Sequence, residues 1–196
     1  MKKYYQSIQL IDAISTDHLT RDERVHFDCL PTHRKNNYLN GRFVLKSLYK
    51  RVIKSIPYCE IETNYIDGKP FIVSDPLLSV SISHSGKYVA AAIGDLPVGI
   101  DIECIRKTSR QLGEYIATSE EIKIAGSLLD ERVQGAELLL WCAKEAALKA
   151  DNISAPPWDY RLVKVGKKLE VHRNDFRWAI YASNSYDYQL CSAIRI

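Results

Sequence analysis

From Leu78 to Ser83 apolar and polar positions alternate, and they alternate again from Val98 to Glu103. Leu78, Val80 and Ile82 interleave with Ser79, Ser81 and Ser83, the period-two signature of a half-buried strand. His84, Ser85 and Gly86 close that strand. Tyr88 to Ile93 reads as a second strand, Gly94 to Pro97 as a turn, and Val98 to Glu103 as a third strand. Val98, Ile100 and Ile102 then occupy one face, and Gly99, Asp101 and Glu103 the other.

The same reading extends to both ends of the chain. Tyr4 to Ile11 predicts an initial strand, and the polar stretch Ser15 to Leu30 has a helical tendency. A longer helix is predicted over Thr32 to Ile53, where Leu39 and Phe43 stand four apart and Leu45, Leu48 and Val52 continue the stripe. Ile61, Thr63 and Tyr65 alternate, and Asp67-Gly68 is a turn signal leading into Lys69, Pro70 and the run Phe71 to Val73, which together predict a hairpin. Cys104 to Gln111 is polar and reads as a link between halves.

In the second half a helix is predicted over Ser119 to Leu129, with Ser119 as its cap and Glu120 and Glu121 at the positive end of its dipole. GAELLLWCAKEAALKA, from Gly135 to Ala150, is a run of strong helix formers. Pro156-Pro157 stops it, and Arg161 to Val165, Leu169 to His172, Arg177 to Tyr181 and Tyr188 to Ile196 read as successive strands, with turns at Gly166 and Asn184-Ser185. Helices with antiparallel strands in each half predict an α+β fold of two similar halves, each a helix on a small, mainly antiparallel sheet. The expected division is 1–105 and 106–196.

Composition narrows the class. At 196 residues, 46% of them hydrophobic and 10% aromatic, the chain can bury a sizeable core. A net charge of +3 is too mild to point to nucleic acid, although it suits a protein that meets acidic partners. Five cysteines, Cys29, Cys59, Cys104, Cys142 and Cys191, are odd in number and widely spaced, with no CxxC pair, which argues for reduced thiols rather than a disulfide framework or a zinc site. No continuous apolar segment marks a signal peptide or a membrane span. The expectation is a cytoplasmic protein.

Three stretches carry candidate chemistry. Asp101 and Glu103 project from one strand face with their Cβ atoms about 6.6 Å apart. That spacing lets both converge on a hard, oxygen-preferring cation such as Mg²⁺, and a solvated polar face would carry the same pair. Arg34, Lys35, Arg42, Lys46, Lys50 and Arg51 crowd the Thr32 to Ile53 helix, Lys54 follows it, and together they read, by themselves, as a solvated basic face. Glu145 lies beside the apolar stripe of its helix, four residues before Lys149, the spacing of an ordinary helical ion pair.

Taken together, and in order, these fragments resemble the 4′-phosphopantetheinyl transferases, specifically the long, monomeric type in which two similar halves are fused. The resemblance rests on NGR at Asn40 to Arg42, GKP at Gly68 to Pro70, SISHSG at Ser81 to Gly86, VGIDIE at Val98 to Glu103 and WCAKEAALKA at Trp141 to Ala150. It implies transfer of the phosphopantetheine arm of coenzyme A to a serine of an apo acyl or peptidyl carrier protein, with Mg²⁺ as cofactor and adenosine 3′,5′-bisphosphate as the product released. It assigns Asp101, Glu103 and Glu145 to the metal, in a site between the halves, and Lys149 to charge developing on the leaving bisphosphate. For the base that activates the carrier serine it offers Glu145, a metal-bound water, or Glu120. Lys69 and Pro70 would lie by the adenine, Ser83 and His84 by the phosphates, and Arg34, Lys35 and Arg42 would complete a basic pocket, with either Arg34 or Lys35 on the 3′-phosphate. Ser81 stands where many relatives have asparagine. The implied protein is a monomer that engages neither nucleic acid nor membrane. Two other classes use parts of the same residue set: a Mg²⁺-dependent phosphohydrolase, which has no need of a 3′-phosphate pocket, and a binding module that holds coenzyme A or a carrier without chemistry.

Overall fold

The computed structural model describes residues 3–11, 15–105, 116–128, 135–185 and 187–196. Its contacts divide the chain into two compact units, Met1–Leu96 and Pro97–Ile196. The expected link over 104–111 lies outside the described residues from 106 onward.

In the first unit, β1 (Tyr4–Leu10) is followed by a 3₁₀ turn at Thr16–His18 and by two helices, α1 (Arg21–Cys29) and α2 (Thr32–Val52). A second 3₁₀ turn at Tyr58–Glu60 leads to β2 (Thr63–Ile66), β3 (Lys69–Ile72), β4 (Ser79–Ser85) and β5 (Tyr88–Gly94). The sheet order is β1-β5-β4, all antiparallel, beside the β2-β3 hairpin. That hairpin closes on Asp67 and Gly68, both with positive φ (50° and 79°), the geometry that an Asp-Gly pair supplies. The core forms where Val44, Leu45, Leu48 and Tyr49 of α2 meet Val80 of β4 and Val89, Ala91 and Ile93 of β5.

The second unit repeats this plan. β6 (Val98–Cys104) is followed by α3 (Ser119–Gly126), α4 (Ala136–Asp151), a 3₁₀ turn at Pro157–Asp159, and β7 (Arg161–Val165), β8 (Lys168–Arg173), β9 (Phe176–Asn184) and β10 (Tyr188–Arg195). The order β6-β10-β9-β8-β7 is antiparallel throughout, so the first strand of the unit pairs with its last, as β1 does with β5. Alanines on α4 (Ala143, Ala146, Ala147 and Ala150) let the helix lie close to Val171, Trp178, Ile180, Cys191 and Ala193 of the sheet. The α+β plan of two similar halves is therefore present.

The division differs from the expected one in one respect. β6 was assigned by pattern to the first half, but its full length pairs with β10, from Val98↔Ile194 to Cys104↔Tyr188. The break falls at the turn before it, after Leu96. Local alternation identifies a strand without naming its partner, and the partner here lies about ninety residues downstream.

A buried ion pair recurs in both units. In the first, the Thr20 side chain caps α1, and Glu23 reaches back to the Thr20 N–H. Glu23 also accepts from Lys46 of α2 at 2.5 Å, from the Thr63 N–H of β2 at 3.1 Å, and from the Thr63 hydroxyl. In the second, Thr118 caps α3, and Glu121 accepts from Thr118, from Lys144 of α4 at 2.9 Å, and from the Leu162 N–H of β7 at 2.9 Å. Each lysine also donates to a backbone carbonyl two residues before its threonine cap, Lys46 to His18 and Lys144 to Ile116. Both clamps tie a short helix, a long helix and the first strand after it. The expected cap, Ser119, is the first helical residue, and Thr118 does the capping.

Candidate functional site

β6 and α4 bring the candidate carboxylates together through one residue without a side chain. A Cβ on Gly99 would lie 1.9 Å from the Ala146 carbonyl oxygen and 2.6 Å from the Ala150 nitrogen, so α4 rests its backbone directly on β6. Asp101 and Glu103 share that face, since residues two apart on a strand point the same way. The two carboxylates of β6 therefore face the helix, and Asp101 is only 4% exposed, which rules out a solvated strand face.

From α4, Lys149 Nζ donates to Asp101 Oδ1 at 2.6 Å. Cys142, one face-repeat earlier, donates its thiol to the Asp101 carbonyl at 3.0 Å; burial first, then Cys191 and Asp101, push that thiol well above its usual pKa, so it stays protonated as a donor. Glu145 lies between these two along the helix. Burial raises the pKa of its carboxyl group, the Asp101 carboxylate adds to the rise ahead of Glu103, and Lys149 partly offsets it. Glu145 thus interacts electrostatically with Asp101, Glu103 and Lys149, and three carboxyl groups with hard oxygen donors outnumber the one ammonium. The chemistry of that donor set fits Mg²⁺, which takes few protein carboxylates and keeps several waters. Among the described residues no three acidic, histidine or cysteine side chains are drawn around one point closely enough to form a finished metal site.

All four of these residues belong to the second unit. The expectation that the carboxylates come from both halves is corrected accordingly, for the reason that displaced the domain boundary: β6 is paired into the second sheet. Glu120, the remaining base candidate, is exposed on the first turn of α3, and its neighbour Glu121 is the one turned inward to Lys144.

The first-unit candidates lie on α2, β3 and β4. Lys69 and Pro70 open β3 just past the Asp67-Gly68 turn, both half-buried. On β4 Ser83 is buried and His84 exposed, as consecutive strand residues must face opposite ways. On α2 Arg34 is exposed, and Lys35 lies over the Phe27 ring at 4.8 Å. Arg42 turns inward: it is 2% exposed, with its guanidinium 4.6 Å from the Tyr38 ring centroid and 4.5 Å from that of Tyr65, and with Nε 3.6 Å from Glu23. With Lys46 also buried, the helix is not the uniformly solvated basic face that its charge run suggests.

The alternation and charge pattern give no buried or close-packing role to Glu23, Lys46, Lys144 or Gly99, which the structure shows. The clamp residues had a signal, since Thr20-x-x-Glu23 and Thr118-x-x-Glu121 both have the capping-box form, and the same separation leads from each glutamate to its lysine. Gly99 had none, because its role depends on a helix distant in the chain.

The fold and site together define a class, an α+β protein with an acidic site, in which strand carboxylates are covered by a helix that bears a lysine and a glutamate. The comparisons with known proteins resolve that class. The family model described as the 4′-phosphopantetheinyl transferase superfamily matches residues 97–190. A holo-[acyl-carrier-protein] synthase of Anoxybacillus flavithermus is 34% identical over 84 residues, covering 38% of this chain and 70% of that protein. One of a Geobacillus species is 37% identical over 94 residues, covering 43% and 76%. The 4′-phosphopantetheinyl transferase psf-1 of Bacillus pumilus is 33% identical over 108 residues, covering 55% of this chain and 45% of psf-1. The chain belongs to the 4′-phosphopantetheinyl transferase superfamily. Its match spans just under half the length of psf-1.

Proposed function

We propose that this protein transfers the 4′-phosphopantetheine moiety of coenzyme A to a serine of an apo carrier protein and releases adenosine 3′,5′-bisphosphate. The observation that carries the reading is the Lys149–Asp101 pair with Glu145 interacting with Asp101, Glu103 and Lys149, all within the part of the chain that matches the superfamily. Asp101, Glu103 and Glu145 would hold Mg²⁺, which when bound supplies positive charge to pyrophosphate oxygens.

The roles of the chain's own residues follow from their placement. Lys149 is 29% exposed at its side chain even while paired to Asp101, so its ammonium can serve an incoming anion and stabilise charge that grows on the leaving bisphosphate. Glu145, a metal-bound water and the exposed Glu120 are the candidate bases for the attacking serine hydroxyl. In the first unit Lys69, Pro70, Ser83 and His84 would take the nucleotide end of coenzyme A, with Arg34 or Lys35 on its 3′-phosphate. Arg42, stacked between Tyr38 and Tyr65, would brace the α2 and β2 wall rather than touch phosphate. Carrier proteins are cytoplasmic substrates in this reading, and among the described residues no helix is long and apolar enough to cross a membrane.

Product analysis tests the reaction. Chromatography of a mixture of protein, coenzyme A, Mg²⁺ and apo carrier should show adenosine 3′,5′-bisphosphate that appears only when the carrier is present. Release of the same nucleotide without carrier would make the protein a hydrolase.

A further inference from the structure

One buried polar side chain beside the carboxylate cluster has no role in the account above. Gln189 of β10 lies directly opposite Glu103 of β6 in the antiparallel register. Partners in register share a face, so its side chain projects toward the same helix-covered side as Asp101 and Glu103. Cys142 of α4 lies over this spot, with its sulfur 3.7 Å from the Gln189 carbonyl and 3.0 Å from that of Asp101. Gln189 is 0% exposed, and neither Nε2 nor Oε1 has a hydrogen-bond partner among the described residues.

A fully buried carboxamide without partners is costly, and such groups in native proteins call for an explanation. Packing alone gives none, since the neighbouring positions on this face are filled by Ala193 and Cys191, and an apolar residue would fill the space without the penalty. The amide's inventory complements what the cluster lacks. Carboxylates only accept, whereas Nε2 offers two donors; Oε1 offers an acceptor, which the waters retained by a bound Mg²⁺ would satisfy.

We propose that Gln189 is a positioning residue of the divalent-cation site: with a cation bound, its amide, unpartnered among the described residues, would donate to the Glu103 carboxylate opposite it and accept from cation-bound water. The inference rests on the reading of Asp101, Glu103 and Glu145 as metal ligands. Partners of this outer kind typically change metal affinity by about 10–100-fold.

The test titrates Mn²⁺ into the full chain, followed by calorimetry and by the loss of the free-ion paramagnetic resonance signal, without coenzyme A or carrier. It compares the parent with Gln189→Leu and Gln189→Met, with metal-free melting temperatures measured in parallel. Both variants should melt at or above the parent temperature without metal, since an unsatisfied amide has been replaced by a side chain of similar volume, and both should bind Mn²⁺ at least tenfold more weakly. Mn²⁺ affinity within twofold of the parent would overturn the proposal, as would a fall of more than about 10 °C in metal-free melting for both variants, which would make Gln189 structural. If the parent itself binds no Mn²⁺, the metal-site reading fails and the proposal fails with it. Parent binding with unchanged variants fails the proposal alone.

Discussion

Replacing Gly99 with alanine tests the contact on which the site geometry depends. The new Cβ would meet two backbone atoms of α4, the Ala146 oxygen at 1.9 Å and the Ala150 nitrogen at 2.6 Å. Neither can swing away as the tip of a long side chain can. To reach even a tight contact of 3.0 Å, the helix must withdraw from β6 by more than an ångström at Ala146. Overpacking of this kind costs about 1–3 kcal/mol, and two backbone contacts place Gly99→Ala at the upper end. At 2–4 °C per kcal/mol for a chain of this size, the melting temperature should fall by about 6–12 °C. The same retreat stretches the 2.6 Å Lys149–Asp101 contact and separates Glu145 from the β6 carboxylates, so Mn²⁺ affinity should fall too. Gly68→Ala is the control. That glycine has φ of 79° with nothing within 4 Å of an added Cβ, so its cost is the left-handed backbone alone, about 1–2 kcal/mol, with no effect on the cation site. Differential scanning calorimetry with parallel Mn²⁺ titration decides it. A Gly99→Ala melting temperature within about 2 °C of the parent, or no worse than that of Gly68→Ala with Mn²⁺ affinity intact, would refute the argument.

Three further outcomes are expected. For Glu121, burial pushes the carboxyl pKa up, but the Thr118 N–H, the Lys144 ammonium and the Leu162 N–H outweigh it, and the net shift is downward. A depressed carboxyl stabilises the fold above its unfolded pKa of about 4.3 and loses that contribution as pH falls through the folded value. Urea denaturation should therefore show Glu121→Gln well below the parent in stability at pH 7 and the gap narrowing below about pH 4.3; a gap independent of pH would contradict the pairing. Lys149→Ala should lower kcat for carrier modification by more than tenfold while moving the KM for coenzyme A less, because stabilisation of a leaving group is realised in the transition state; a change in KM alone would make it a ground-state binder. His84→Ala should weaken use of coenzyme A by about one to two decades, the worth of a charge-assisted hydrogen bond, with little effect on dephospho-coenzyme A. Equal losses on both substrates in steady-state assays would remove His84 from the 3′-phosphate.

Much of this architecture is legible from local pattern. The strands β4, β5 and β6 and the helices α2 and α4 all appear in the alternation and periodicity of the chain, because each buries a face whose spacing is set by its own geometry. The turn at Asp67-Gly68 is equally local. What pattern does not carry is pairing. The side chains of β6 alternate in the same way whichever sheet it joins, so its membership of the second unit had to come from β10. The charges on α2 illustrate the same gap. Arg42 and Lys46 read as solvated because the partner that permits their burial, Glu23, is on another helix. Asp101 shows the converse, since its i, i+2 relation to Glu103 is visible in the sequence, while its burial comes from a glycine that admits a helix backbone and a lysine forty-eight residues later.

The β6 and α4 carboxylates are proposed to support transfer of phosphopantetheine to a carrier. Intact-mass spectrometry of a panel of apo acyl and peptidyl carrier proteins, incubated with coenzyme A, Mg²⁺ and either the parent, Asp101→Ala or Glu145→Gln, measures this directly. At least one carrier should gain the mass of a single phosphopantetheine arm with the parent, and little or none with either variant or after chelation of the metal, all three proteins being folded. No mass gain on any carrier with the folded parent, or near-parent turnover by either variant, would contradict it.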